Sequence, residues 1–313
     1  MNKILIVSCG TIGSVLACRL SNSNEITVYD KDNDRVNIVK RSGIKLSDKK
    51  KHYRLNITNN TSDIKNQKFD LIIFATKCYD VLTSTKQIAD CCFSPRVLYI
   101  QNGIIDMDAI QNNFPYSVMY RGVMTMAAHR IKRGEIKVSR QGVMYIGSAK
   151  ASHKELLFMK ERFITAGFRT IVVKNPATVV WAKLIFSSVM NPFPVLVQSE
   201  YNIIQNSVES YVLIKKAIEE GKKVAKKLGI RLYFDPINVV EDIRVGRYKN
   251  FHHKGSMYYD FVEHKKTEND YITGKLVKEA KRLKIKVPTL DAIYRLMKIL
   301  EDKSIKNGEK RLT

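Results

Sequence analysis

The stretch that most constrains this chain is residues 3–30. Ile4-Leu5-Ile6-Val7 is an unbroken apolar run, as expected of a parallel strand covered on both faces. Ser8-Cys9-Gly10-Thr11-Ile12-Gly13 follows as a tight turn, and Ile12 to Leu20 carries a helical apolar pattern. Ile26-Thr27-Val28-Tyr29 is a second strand, and it ends on Asp30. Strand, glycine turn, helix and strand make a βαβ unit, which commits this part of the chain to an α/β sheet wound in parallel.

The turn itself carries chemistry. In a dinucleotide-binding unit, glycines let the backbone turn sharply and approach a pyrophosphate, and the following helix N-terminus supplies N–H donors and the positive end of its dipole. The pattern G-x-G-x-x-G reads here with serine in first place, and Gly10 and Gly13 occupy the positions for pyrophosphate approach and helix–strand packing. A glycine triplet alone is a weak signal. This one follows a strand, opens a helix and has a carboxylate at the end of the next strand, so Ser8, Cys9, Gly10, Thr11, Ile12 and Gly13 are expected to hold a dinucleotide. Asp30 lies 17 residues beyond Gly13, where a carboxylate would accept hydrogen bonds from the adenosine ribose. Lys31 beside it could reach a 2′-phosphate.

Further buried strands are expected at 71–75 and 97–100, with apolar stretches at 117–126 and 143–146. After Val172-Val173 the character changes. Asn175-Pro176 is a helix-start signal, and amphipathic helices are expected at about 177–190, 207–228, 236–264, 267–283 and 289–301. The expected organisation is a mostly parallel Rossmann-type domain over 1–174 and an all-α domain over 175–313, ending in a frayed polar tail from about Glu301. With 313 residues, the chain has room for two such domains.

Several function classes recede on composition. No run of 18 or more apolar residues occurs, which argues against a membrane-spanning helix. A lipoprotein-like signal ending at Cys18 would discard the glycine turn. The net charge of +24 arises from 54 basic and 30 acidic residues spread over both halves, with no basic stripe on a binding motif, so no nucleic-acid partner is expected. Five cysteines, odd in number and without metal spacing, suit reduced thiols in a cytoplasmic protein, with no metal.

Five stretches then line up in order. They are the glycine loop; Ala75-Thr76-Lys77; Gln101-Asn102-Gly103; Trp181-Ala182-Lys183-Leu184 leading to Asn191-Pro192; and Thr267-Glu268-Asn269-Asp270-Tyr271-Ile272-Thr273-Gly274 followed by Val287-Pro288. Over residues 3 to about 300 the chain resembles the ketopantoate reductases, which join an N-terminal Rossmann domain to an all-α C-terminal domain. The resemblance implies reduction of a 2-keto acid by a nicotinamide cofactor, with ketopantoate to pantoate, on the way to pantothenate and coenzyme A, as the default. By the same resemblance Lys183 is the catalytic lysine, Glu268 contacts substrate and cofactor, Ser256 binds the substrate carboxylate and Asn102 stands beside the nicotinamide. Lys77 and Ala128 correspond to other cofactor contacts.

Physical reasoning agrees with part of this. Lys183, Ser187 and Asn191 are four apart and share one helix face, and Pro192 should stop or kink the helix at Asn191. These three with Ser256 are the expected substrate contacts. A carbonyl receiving hydride develops alkoxide character and needs a proton donor such as Lys183 within reach. The departures fall at the substrate's far end. Ser187 replaces an asparagine, a later asparagine falls near Tyr201 or Asn202, and another becomes His253. Family default implies NADP(H), whereas Asp30 predicts that NAD(H) is used at least comparably. Two alternatives stand beside the leading reading: an NAD-dependent D-2-hydroxyacid dehydrogenase on the same scaffold, and a non-catalytic dinucleotide-binding regulator, which the pairing of Lys183 with Glu268 argues against. Either a monomer or a homodimer fits.

Overall fold

The apolar run at the N-terminus forms strand β1 (Lys3–Val7), buried from Ile4 to Val7 between parallel neighbours. In the computed structural model, which describes residues 1–48, 51–247 and 254–309, it is followed by α1 (Thr11–Leu20), β2 (Glu25–Tyr29), α2 (Asn33–Ser42), β3 (Ile44–Leu46), β4 (Lys51–Tyr53) and β5 (Asn56–Thr58). Then come β6 (Leu71–Phe74), α3 (Val81–Ala89), β7 (Arg96–Tyr99), α4 (Met107–Gln111), β8 (Val118–Met124), β9 (Ala127–Lys132), β10 (Glu135–Arg140), β11 (Val143–Gly147), α5 (His153–Thr165) and β12 (Arg169–Val173). Among the described residues the main sheet has the order β12-β11-β8-β7-β6-β1-β2-β5. It is parallel from β5 to β8, and β11 joins β8 antiparallel. The chain winds from β1 outward to β2, then returns to β6 on the other side. The winding therefore reverses at the carboxyl end of β1, where ligands of doubly wound sheets bind.

A second sheet, ordered β4-β3-β10-β9, is a feature the sequence reading missed. Its β9–β10 hairpin turns through Arg133-Gly134, with Gly134 at φ +79°, a conformation that favours glycine. Only Ile136 and Val138 of β10 point inward, among charged neighbours, so the period-two signal was too short to read.

The chain divides into two units. Met1–Gln101 and Ile105–Pro176 form the sheet unit, whereas Asn102–Ile104 go with the helical unit that begins at Ala177. The helices of the latter are α6 (Ala177–Met190), α7 (Phe193–Val197), α8 (Ile203–Asn206), α9 (Val208–Lys227), α10 (Pro236–Arg244), α11 (Gly255–Val262), α12 (Thr273–Arg282) and α13 (Pro288–Glu309). Their core gathers Leu184, Ile185, Ile214, Ile218, Leu276 and Met297. Although 177–197 has the length and apolarity of a membrane span, most of it is buried in this core. Glu220, buried on α9, accepts from the Thr289 and Leu290 N–H groups at 3.1 and 2.9 Å and so caps α13 from another helix. The expectation of a frayed tail from Glu301 fails: α13 continues to Glu309, and Glu301 is only 3% exposed.

Candidate active site

In the sheet unit, the glycine loop leaves β1 through Ser8, whose φ of +83° is the left-handed conformation that the usual glycine would adopt without strain. Gly13 is demanded by the fold itself, because a Cβ there would strike the Ser8 carbonyl. Gly10 is different. A Cβ at Gly10 would meet only the Ser8 Oγ, at 3.7 Å, so the protein's own packing leaves room for a side chain. Gly10 is the helix-capping residue of α1 and contributes no side-chain cap, so the first-turn N–H groups of Thr11 and Ile12 are left to a ligand or solvent. That geometry fits a pyrophosphate cradle. Cys9 is buried and its Sγ lies 3.4 Å from the Ser14 Oγ; burial pushes its thiol up to about 11, so it packs the loop and is not a reactive thiol.

Asp30 is tied into this loop. Its carboxylate, 3% exposed, accepts from the Cys9 N–H at 2.5 Å, the Asp32 N–H at 2.9 Å and the Arg35 guanidinium at 2.6 Å. Arg35, which the sequence reading did not single out, also pairs with Asp32 at 3.1 Å. Its signal was local: Asp32 caps α2 and accepts from the Arg35 N–H at 3.0 Å, which sets the side chain over the end of β2. Lys31 turns to Asp80, 2.8 Å away.

The ends of β6 and β7 are bound together by Gln101. Its Nε2 donates to the carbonyls of Phe74 and Thr76 at 2.9 and 3.3 Å, while its Oε1 accepts from the buried Arg121 at 3.1 Å. Arg121 also donates to the carbonyls of Tyr99 and Gln101, both at 3.0 Å. The Thr76 hydroxyl is buried without a hydrogen-bond partner among the described residues. Lys77 follows it, half-buried, at the start of a 3₁₀ turn over Cys78–Asp80. Ala128 lies on β9 and packs with Ile12 against the core of this unit.

In the helical unit, Lys183 donates to Asn102 Oδ1 at 2.6 Å. The Ile104 N–H donates to the Tyr271 carbonyl at 3.3 Å, which also attaches residues 102–104 to this unit. Ser187 and Asn191 are buried on the face that Lys183 begins, and α6 ends just before Asn191-Pro192. A side chain at Gly255, which has φ +77°, would run into the Tyr201 hydroxyl and lie 3.7 Å from Asn191 Oδ1. Asn191, Tyr201 and the start of α11, where Ser256 sits, are therefore gathered in one place. Burial pushes the Tyr201 hydroxyl well above the usual phenol range. Asn202 opens α8, while His252 and His253 lie outside the described residues. Glu268 is buried between Thr267 and Asn269, ahead of a 3₁₀ turn over Asn269–Tyr271.

Family models settle the lineage of both halves. Residues 4–151 match the model described as ketopantoate reductase PanE/ApbA, and residues 176–301 match its C-terminal counterpart. The chain belongs to the ketopantoate reductase family. Among its relatives in that family, the 2-dehydropantoate 2-reductase of Pyrococcus abyssi is 29% identical, over 95% of this chain and 97% of that one. The enzyme of the same name from Pyrococcus horikoshii is 28% identical, over 98% of this chain and all of that one. Among solved structures, a D-mandelate dehydrogenase with NADH and anilino(oxo)acetate shares the fold at a TM-score of 0.87 and 23% identity, covering 96% of this chain and 99% of that one. The 2-dehydropantoate 2-reductase of Methylococcus capsulatus does so at 0.79, also with 23% identity, covering 96% and 97%.

Proposed function

We propose that this member of the ketopantoate reductase family reduces 2-dehydropantoate to pantoate, the step toward pantothenate and coenzyme A, with Lys183 as the acid. The observation that carries this reading is the 2.6 Å bond from Lys183 to Asn102, which aims a half-buried ammonium from a helix face that Ser187 shares and that runs on to Asn191 just past the helix end. A reduced nicotinamide, when bound, supplies a hydride to the keto carbon. Lys183 then gives a proton to the oxygen as it gains charge, so carbonyl becomes hydroxyl. Ser256 holds the substrate carboxylate, Ser187 and Asn191 contact the rest of the substrate, and Glu268 holds its hydroxyl side. Gly10, Thr11, Ile12 and Gly13 receive the pyrophosphate, with Lys77, Asn102 and Ala128 along the rest of the dinucleotide.

Cofactor choice follows from charge. Among the described residues, four carboxylates (Asp30, Asp32, Asp34 and Asp80) face three cations, Arg35, Lys31 and Arg133, beyond the end of β2, and each cation is paired. A 2′-phosphate finds no surplus positive charge there, so NADH serves at least as well as NADPH.

Tyr201 gives a second reading some support. The buried Tyr201 phenol beside Asn191 and the start of α11 stands near where the resemblance places a substrate asparagine, so altered polar contact there favours a less polar 2-keto acid, as in a D-2-hydroxyacid dehydrogenase. Following the loss of reduced cofactor with 2-dehydropantoate and with branched and aromatic 2-keto acids, each with NADH and NADPH, separates the two. The leading reading expects the highest kcat/KM on 2-dehydropantoate. A higher value on an aromatic keto acid selects the second, and no turnover on any 2-keto acid overturns both.

A further inference from the structure

One face of α13 carries a polar row that the reaction itself does not require. Tyr294, Lys298 and Glu301 are spaced four and three apart and so lie along one side of the helix. All three engage the segment that bears Glu268. Glu301 accepts from the Thr267 N–H at 2.5 Å. The Tyr294 carbonyl accepts from the Asn269 side-chain Nδ2 at 3.1 Å, and the Tyr294 hydroxyl donates to the Asp270 carboxylate at 2.9 Å. Lys298 bridges Asp270 at 3.3 Å and Glu301 at 3.2 Å.

α13 thus holds the backbone immediately before Glu268, at Thr267, and the side chains of Asn269 and Asp270 immediately after it. The Glu268 carbonyl is fixed too, because it accepts from the Tyr271 and Ile272 N–H groups at 3.0 Å. Burying the Glu301 carboxylate to 3% exposure carries a desolvation cost that an apolar residue would avoid. The compensation is specific: one backbone N–H and one ammonium, both spent on the Glu268 segment.

We propose that Glu301, with Lys298 as its counter-ion, is a positioning residue that aims the Glu268 carboxylate. The proposal rests on the reading of Glu268 as a substrate contact. Rotation of the Thr267–Asp270 segment by a fraction of an ångström would move that carboxylate relative to the keto acid, and small misplacements of a reacting group are costly in rate.

A double-mutant cycle on the full chain tests this, with kcat, KM for the keto acid and the thermal midpoint measured together. Glu301→Ala should lower kcat about 10-fold in the wild-type background and by less than about twofold in Glu268→Gln, since residues acting through one another do not add. Glu301→Gln keeps an oxygen for the Thr267 N–H and should recover kcat to within about threefold of wild type. A purely structural role would shift the thermal midpoint equally in both backgrounds and leave the kcat losses additive, which overturns the proposal, as does an unchanged kcat in Glu301→Ala. If Glu301→Ala does not fold, Lys298→Met carries the same comparison: a kcat loss in the wild-type background that vanishes in Glu268→Gln supports positioning, and an additive loss overturns it. A wild-type protein inactive on every 2-keto acid brings down the functional reading and this proposal together. An active wild type with an impaired Glu268→Gln leaves only the positioning role at stake.

Discussion

The ammonium of Lys183 and the side-chain oxygen of Asn102 stand 2.6 Å apart, although 81 residues separate them in the chain. Asn102 follows the carboxyl end of β7, yet it goes with the helical unit, as do Gly103 and Ile104. The bond gives the Lys183 ammonium one fixed donor direction, along Nζ–H to Asn102 Oδ1. Lys183→Ala should therefore lower kcat by about 10²–10⁴, the range for general acid catalysis. Hydrogen bonds to charged groups contribute about 1.5–3 kcal/mol, so Asn102→Ala should lower kcat/KM by roughly 10- to 150-fold. Steady-state kinetics on the best keto acid check both, and an Asn102→Ala protein at wild-type efficiency would remove the bond from the mechanism.

Gly10 separates binding from folding. Since a Cβ there meets nothing closer than 3.7 Å, Gly10→Ala should unfold at the wild-type temperature. The same methyl group stands where a pyrophosphate would approach, so dinucleotide affinity should fall at least ~10-fold, about 1.4 kcal/mol. Gly10→Val should abolish it. Fluorescence titration with NADH, paired with a thermal melt, reads both quantities. Wild-type affinity in Gly10→Val would mean that the loop does not face the dinucleotide.

These contrasts show what was legible in the sequence. The βαβ start could be read because an apolar run, two glycines and a terminal carboxylate each report a local requirement of backbone or burial. Lys183, Ser187 and Asn191 could be placed on one face because helical spacing is periodic. Arg35 could not be picked out, since an arginine at the third position of a helix resembles many surface arginines until Asp30 is seen 2.6 Å away. Glu301 was misread for the opposite reason. A glutamate near the end of a lysine-rich stretch reads as solvated, and its burial depends on the Thr267 N–H, 34 residues earlier. Glu220 is another such case, a carboxylate in the middle of an amphipathic helix whose partners are the N–H groups of Thr289 and Leu290.

Glu220 should be a stability residue. Glu220→Ala leaves two buried N–H groups at the start of α13 without acceptors, at about 1–3 kcal/mol for each unsatisfied group. Chemical denaturation should show the helical unit destabilised by roughly 2–6 kcal/mol, and Glu220→Gln, which keeps one acceptor, by about half of that. Equal stability of all three proteins would show that the first turn of α13 finds other acceptors.

Alkaline stability should carry the signature of Cys9. Its thiol ordinarily ionises near 9.0, and in the folded protein burial raises this to about 11. Below pH 9 the thiol is neutral in both states and its contribution to stability is fully present. As pH rises from 9 toward 11 the unfolded chain loses that proton while the folded chain retains it, so stability falls by up to about 1.4 kcal/mol per pH unit. Urea midpoints measured between pH 8 and pH 10.5 should fall less steeply in Cys9→Ala than in wild type. Parallel slopes would mean that the Cys9 thiol ionises equally well in the folded state.

The choice between NADH and NADPH turns on Asp30, but the contacts of its carboxylate change how the test must be done. Asp30 holds the Cys9 N–H and the Arg35 guanidinium, so Asp30→Ala both removes a repulsive charge and loosens the loop. Asp30→Asn is the cleaner variant, because its amide oxygen can still accept from Cys9 while the negative charge is lost. That substitution also frees Arg35 from its closest anion and leaves it held by Asp32 alone. A guanidinium so released matches a phosphate with two parallel donors, a grip that the single ammonium of Lys31 cannot make. Wild type should use NADH at least as efficiently as NADPH, and Asp30→Asn should shift the ratio of kcat/KM toward NADPH by ~10-fold or more, about 1.4 kcal/mol. Adding Arg35→Met to Asp30→Asn should cancel most of that shift, whereas adding Lys31→Met should leave it largely intact. A wild-type preference for NADPH above about a hundredfold, some 2.7 kcal/mol, would show that the 2′-phosphate draws Lys31 or Arg35 away from these carboxylates on binding.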